Sequence, residues 1–341
     1  MLARVPLLWA ALGAAGLLVA GCGGAKKPAP PPQVALVAGS AGFGDRGFND
    51  AARTALNTCA KESTIVLATA APAGDADIES KLVLFATEKY DTVLAIGYAA
   101  APAVATVARR FEGTHFAIID AVVDQPNVES ITFDEPQGAF LAGALAGLVS
   151  RTHHVAFIGG ADVPLLQRSE AGFAAGVREV DPHARVTAAY LTSFTDTVPA
   201  QRLASALLAG GADIIFTVAG PAGRGVFAAV AQRPHAYAIG ADTDQDAAVP
   251  GKILTSVVKR VDTAALRACI ETAGGKSESG HRVLGLADDG IGLTHFAYTK
   301  AAIGSASIGR LGRIRDAVAA GRISVPATRA ALAQFTPVPV R

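Results

Sequence analysis

Residues 131–177 read ITFDEPQGAFLAGALAGLVSRTHHVAFIGGADVPLLQRSEAGFAAGV. Phe133-Asp134-Glu135-Pro136 marks a strand end followed by a helix start. Asp134 suits an N-cap, and Pro136 fits the first helical turn, where its missing N–H is not needed. Phe140, Leu141, Ala144, Leu145, Leu148 and Val149 then recur at the spacing of a helix with a broad apolar face. Gly143 and Gly147, one turn apart among Ala139, Ala142 and Ala146, thin that helix so that another backbone can come close. Charged residues bound the run at both ends, so we expect packing against a sheet rather than pairing inside a membrane. Val155–Ile158 reads as a short buried strand, Gly159-Gly160 as its turn, and Asp162 with Pro164 as the opening of the next helix. That helix carries Leu165, Leu166, Phe173 and Val177 on its apolar face. His153-His154, in the loop before the strand, reads as solvated.

The same alternation extends outward in both directions. Upstream, strands are expected at Val34–Val37, Thr64–Ala68, Thr92–Ile96 and His115–Ile119, with helices at Phe48–Ala60, Ala76–Thr87 and Ala101–Arg110. Downstream, strands Val186–Leu191, Ile214–Val218 and Ala236–Ile239 alternate with helices Pro199–Leu208 and Gly223–Ala231. A helix over Ile303–Ala320 and a short Pro- and Ala-rich tail end the chain. Continuous apolar strands in βαβα order imply parallel sheets covered on both faces, joined by right-handed crossovers. Two such runs of similar length imply an α/β protein of two Rossmann-like lobes.

Composition narrows the function. Lys and Arg number 30 against 29 Asp and Glu, and no basic stripe invites nucleic acid. The one strongly apolar segment is Met1–Cys22, with Arg4 before the run Val5–Ala20. It is shorter than the ~20 residues that span a bilayer and reads as a signal peptide. Its end, Leu18-Val19-Ala20-Gly21-Cys22, resembles a lipobox, so Cys22 is the expected lipidation site and mature N-terminus. Acyl chains there would hold the protein on a bacterial membrane at its periplasmic or extracellular face, since each buried methylene contributes about 0.8 kcal/mol. Lys26-Lys27-Pro28-Ala29-Pro30-Pro31-Pro32 follows and reads as an extended tether. Export permits a disulfide between Cys59 and Cys269. Two separate buried thiols fit as well, and are the expectation adopted. Neither has metal-site spacing around it.

Ligands of parallel α/β sheets bind outside the carboxyl ends of the strands. The loops there carry acids and amides: Asp45, Asn49, Asp120, Asp162, Asp196, Asp242 and Asp244. Gly220-Pro221-Ala222-Gly223-Arg224-Gly225 superficially suggests a phosphate cradle, but Pro221 removes a donor and the glycines are out of order. Carboxylates suit an uncharged ligand rich in donors, such as a nucleoside or a sugar. No cofactor and no catalytic or metal constellation is implied.

Several motifs carry a resemblance. F-D-E-x-x-G-A-F-L-A-G-x-L-A from Phe133 and V-A-F-I-G-G-x-D-x-P-L-x-x-R-x-E-A-G-F-x-A-G-V from Val155 resemble the basic membrane protein family of ABC-importer substrate-binding lipoproteins, related to purine-nucleoside receptors. Phe116–Asp120, Gly211–Phe216, Ile239–Gln245 and Leu254–Val261 extend the likeness over roughly residues 34–300. The resemblance implies a type I periplasmic-binding-protein fold, two lobes joined by a hinge, with chain crossings near 121–132 and 250–262. The expected division is signal peptide 1–21, lipidated tether 22–33, N-terminal lobe 34–122 plus about 253–280, and C-terminal lobe 123–252 plus about 281–335.

It also implies roles. Gly44-Asp45-Arg46-Gly47-Phe48-Asn49 is similar to the family's D-x-S-F-N, with Gly47 replacing Ser. Asp45, Asn49 and Asp120 would meet the base edge, and Phe48 would stack on the base. Phe216 is a candidate second wall and equally a core residue; Tyr98 is a further candidate wall. Gly220 would allow close backbone approach, and Asp242 with Lys259 would hold the ribose. The expected partners are a nucleoside, ABC permease subunits and, through the lipid, a membrane, with the protein a monomer. A nucleoside-cleaving enzyme, a sugar receptor and a transcriptional regulator are the rivals. The absence of a Ser/His/Asp arrangement argues against the first, and the lipobox against the last.

Overall fold

The computed structural model describes residues 30–39, 42–45 and 47–340. The signal segment, Cys22 and residues 23–29 lie outside the described residues, as does Arg46. The chain starts with β1 (Gln33–Val37), α1 (Phe48–Glu62), β2 (Val66–Ala70), α2 (Asp75–Thr87), β3 (Thr92–Ile96), α3 (Ala101–Arg110), β4 (His115–Ile119) and β5 (Val128–Phe133). It continues with α4 (Glu135–Val149), β6 (His154–Gly159), α5 (Pro164–Val180), β7 (Arg185–Tyr190), α6 (Thr197–Ala209), β8 (Ile214–Val218), α7 (Gly223–Ala231) and β9 (Tyr237–Asp242). The last third holds β10 (Ile253–Lys259), α8 (Val261–Ala273), β11 (Gly280–Leu284), β12 (Ile291–Leu293), α9 (Lys300–Ile303), α10 (Ser305–Ala319) and α11 (Arg329–Ala333).

These strands form two six-stranded sheets, ordered β11-β5-β4-β3-β1-β2 and β12-β10-β9-β8-β6-β7. The two orders correspond strand for strand. Only β12 runs antiparallel, against β10. The expected α/β fold of two lobes with parallel sheets is therefore present. Inner strands such as β3, with every residue buried, are the unbroken apolar runs of the sequence, while the edge strands β2 and β7 are half exposed. Helices cover both faces of each sheet. The first sheet packs α1 and α8 on one side and α2 and α3 on the other; the second packs α4 and α5 on one side and α6 and α7 on the other.

The lobe boundaries differ from expectation. β5 belongs to the first sheet, pairing with β4 from Phe116↔Val128 onward, so the first crossing falls at Asp134, just past the expected 121–132, and the first lobe extends beyond the expected boundary at 122. Glu129, buried on an ion pair with Arg282, interrupts the apolar pattern that would have marked this strand. β10 lies in the second sheet through Lys259, so the second crossing falls at Arg260, within the expected 250–262, while residues 253–259 belong to the second lobe rather than the first. β11 returns to the first sheet, and 285–290 make a third crossing to β12.

Four local expectations also change. Gly143 and Gly147 of α4 meet a helix, not a sheet. A Cβ on Gly143 would lie 1.9 Å from the Phe173 carbonyl oxygen, and one on Gly176 of α5 would lie 1.9 Å from that of Phe140. Cys59 and Cys269 form a disulfide joining α1 to α8, with Cα atoms 6.6 Å apart. They were expected as separate thiols because, although both were placed in the N-terminal lobe, nothing in their spacing reveals that α1 and α8 lie side by side there. His154 is buried as the first residue of β6, its Nε2 2.9 Å from the Thr187 hydroxyl, because the strand starts one residue earlier than the apolar run. The helix expected over Ile303–Ala320 is broken by Gly304 at φ 81°, a left-handed conformation that glycine adopts freely. Beyond it the tail is strapped to α5: Arg329 reaches Glu170 at 2.6 Å, and the Val338 N–H donates to Glu179 at 2.9 Å.

Candidate ligand-binding site

The carboxyl ends of both sets of parallel strands meet around one ammonium group. Lys259, the last residue of β10, places its Nζ 2.7 Å from Glu135 Oε1, 3.1 and 3.2 Å from the two Asp120 oxygens, and 3.5 Å from Asp242 Oδ1. Asp120 follows β4 of the first sheet; Asp242 ends β9 of the second; Glu135 opens α4 just past the first crossing. The ion pair from Lys259 to Asp120 thus spans the two lobes. Asp120 and Asp242 occupy corresponding places in the matched sheets, and both have left-handed backbones, at φ 68° and 70°. Such conformations cost energy in a non-glycine residue and persist where the surroundings enforce them. Here they turn both carboxylates toward the same point.

Charge is unevenly balanced at this point. Lys259 is almost wholly buried, yet Asp242, Glu135 and Asp120 outweigh that burial and hold its ammonium charged far above the usual lysine range. The Asp120 carboxyl moves the other way for an acid. Burial pushes its pKa up, aided by the charges of Glu135 and Asp242, against the pull of Lys259. One cation shared by three carboxylates leaves acceptor capacity unused. The Asp242 side chain is 40% exposed, so that capacity opens to solvent. Carboxylate oxygens there can accept hydroxyl donors, while the ammonium donates, and charge-assisted bonds of this kind are the strong ones.

Asp120, Asp242 and Lys259 are therefore brought together. Other expected site residues are placed differently. Asn49 is buried, and its side chain is used within its own loop. Oδ1 accepts from the Gly39 N–H at 2.7 Å, and Nδ2 donates to Gly42 O at 3.0 Å and to Asp45 Oδ2 at 2.9 Å. Asp45 accepts from the N–H groups of Gly47, Asn49 and Asp50, which anchors the start of α1. Short polar side chains at a helix start turn inward to unpaired N–H groups. These two residues shape the first loop rather than facing outward from it. Phe48 is half-buried against the core at the start of α1. A Cβ on Gly47 would sit 3.5 Å from Thr243 Cγ2, so this loop closely approaches the loop after β9. Tyr98 lies on a turn after β3 and is 81% exposed.

Phe216 is a core residue, not a wall. It is 1% exposed, with ring centroids 5.4 Å from Phe173 and 5.7 Å from Phe157. The half-exposed aromatic at this edge is Phe194, in the loop after β7. A Cβ on Gly160 would lie 2.4 Å from its ring, and one on Gly220, at φ 53°, would lie 3.4 Å from its carbonyl oxygen. Small residues at the ends of β6 and β8 thus seat the ring at the strand-end edge. Phe194 and Glu135 were both missed. Phe194 lies in a strand-end loop, the criterion that selected Tyr98; Glu135 was read only as part of a helix start. A separate groove of about 570 Å³ runs between α1 and α8, reached by Gly47, Arg260 and Asp262, and does not contain the Lys259 cluster. Among the described residues, no group of three or more His, Cys, Asp or Glu is arranged to hold a metal ion.

Two matched α/β lobes with a polar cluster between their strand ends define a two-lobed solute-binding protein. The chain belongs to the Bmp family, described as PnrA-like ABC transporter substrate-binding proteins, which it matches over residues 33–329. It is 32% identical over 311 residues to a CD4+ T-cell-stimulating antigen of Listeria innocua, covering 82% of this chain and 87% of that protein. It is 28% identical over 269 residues to the ABC transporter nucleoside-binding protein BmpA of Lactococcus lactis, covering 73% and 77%. Among solved structures, a solute-binding protein of an ABC transporter system from Conexibacter woesei superposes with a TM-score of 0.72 at 24% identity, covering 87% of this chain and 99% of that one. The family is one of extracytoplasmic binding proteins, not enzymes, and its members present small-molecule ligands to permease components.

Proposed function

We propose that this protein captures a nucleoside, a purine nucleoside first, between its lobes and delivers it to an ABC permease. The observation that carries the reading is the convergence of Asp120, Asp242 and Lys259 from two different sheets on one point. Asp242 and Lys259 hold the ribose hydroxyls, Asp120 meets the base edge, and the rings of Phe48 and Phe194 are its apolar walls. The name of the Lactococcus relative supports the same ligand class. A ligand that touches both lobes favours the closed arrangement in proportion to its differential affinity. Cys22, lipidated, tethers the protein to the membrane as a monomer.

Titration calorimetry with inosine, guanosine, cytidine and free ribose tests this. Inosine should bind, and Asp242→Ala should weaken it by more than about 1.4 kcal/mol, a factor of ten. Binding of ribose with no binding of any nucleoside would replace the ligand class by a sugar. Unchanged affinity in Asp242→Ala would remove that residue from the site.

A further inference from the structure

We infer that Glu135 is the positioning residue that aims Lys259 at the ligand and ties that contact to the chain crossings; this rests on the nucleoside reading above. Glu135 is the first residue past the first crossing, and Lys259 the last before the second. Their 2.7 Å ion pair therefore joins two crossings directly. The third is fastened to both. The Asp134 N–H donates to Leu284 O at 2.9 Å, and the Arg260 N–H donates to Gly290 O at 2.8 Å. The Leu286 N–H donates to the Gln137 side chain at 2.8 Å, and Arg260 pairs with Asp289 at 2.8 Å. Lys259 thus rises from a bonded frame that includes all three crossings.

The partners of Lys259 are not equivalent. Asp120 and Asp242 end strands, and are the groups assigned to the ligand. Glu135 sits on the first turn of α4, where the helix N-terminus favours a negative charge, with its side chain only 16% exposed. When a ligand engages Asp120 and Asp242, Glu135 is the partner that still holds the ammonium. A lysine has a flexible stem and loses much rotamer freedom when fixed. Fixing it beforehand removes that cost from binding. Placement at the crossings adds a second effect: a ligand pulling on Lys259 pulls on the segments that move when the lobes close.

The test compares Glu135→Gln, Lys259→Met and the double variant with the parent, using inosine and 2′,3′-dideoxyinosine in calorimetry. Glu135→Gln should weaken inosine at least tenfold but dideoxyinosine less than threefold, and should add nothing to Lys259→Met. Equal losses for both ligands, additive losses, or inosine binding within threefold of the parent would overturn the proposal. A second readout needs no ligand. Acetylation of Lys259 by acetic anhydride, followed by mass spectrometry, should be at least fivefold faster in Glu135→Gln; an unchanged rate overturns the positioning role. Failure of the parent to bind any nucleoside would instead overturn the ligand assignment, and the labelling rate would still decide the role of Glu135.

Discussion

Replacing both Cys59 and Cys269 by alanine should destabilise the protein by up to about 5 kcal/mol. The two residues are 210 positions apart, and in the chain-entropy account closing such a loop removes roughly 18 cal/mol/K from the unfolded chain, about 5 kcal/mol at 25 °C. Measured losses of native disulfides run from about 2 to 5 kcal/mol, so the upper end applies where the unfolded state is most expanded. Both cysteines are at most 3% exposed, and alanine leaves their packing partners in place. Thermal melting followed by circular dichroism reads the effect. At about 2 cal/mol/K of unfolding entropy per residue, the full loss lowers Tm by about 8 °C if Pro32–Arg341 melts as one unit, and by roughly twice that if the first lobe melts alone. A variant within about 1 kcal/mol of the parent would refute the argument, because the entropy of so long a loop could not then be what the bond removes.

Two further predictions concern packing and charge. Gly176→Ala should cost about 2 kcal/mol or more, because its Cβ would meet the Phe140 carbonyl 1.9 Å away, whereas Gly309→Ala on the exposed face of α10 should stabilise by up to about 1 kcal/mol; chemical denaturation of the two variants should show opposite signs. Asp120→Asn should be more favourable at neutral than at acid pH. Burial raises the Asp120 pKa above its unfolded value, so the folded state binds that proton more tightly. The ionised form destabilises the folded protein above the folded pKa, and the penalty disappears as pH falls below the unfolded value of about 4. The Tm difference between variant and parent should therefore shrink between pH 7.5 and pH 4; a difference that widens on acidification would mean that Lys259 dominates.

The inner strands were legible because burial on both faces leaves an apolar run: β3, β4 and β8 begin and end where the sequence places them. The carboxyl-end rule picked out Asp120 and Asp242 for the same reason, since the ends of such runs are visible, whereas Lys259 came from the family resemblance. What was not legible involves partners distant in sequence. β10 contains buried Thr255 and Ser256, whose hydroxyls are satisfied by Thr294 and Asp246, and no local pattern announces those bonds. The glycines of α4 signal close approach but not what approaches. Phe216 and Phe194 differ only in whether a strand or a loop carries the ring, and Asp45 and Asn49 look alike whether they cap a helix or face a ligand.

The crossings also exchange helices between the halves. α4 leaves the first sheet and packs on the second, while α8 leaves the second and packs on the first, where Ala264, Ala265 and Cys269 cover Leu36, Leu94 and Ala117. During synthesis, a chain that has emerged as far as Ser150 would carry five strands of the first sheet with only α1 on that apolar face and the part under α8 still bare. Its covering helix and edge strand are translated more than a hundred residues later. The amino-terminal half is thus the first to be made and among the last to be completed.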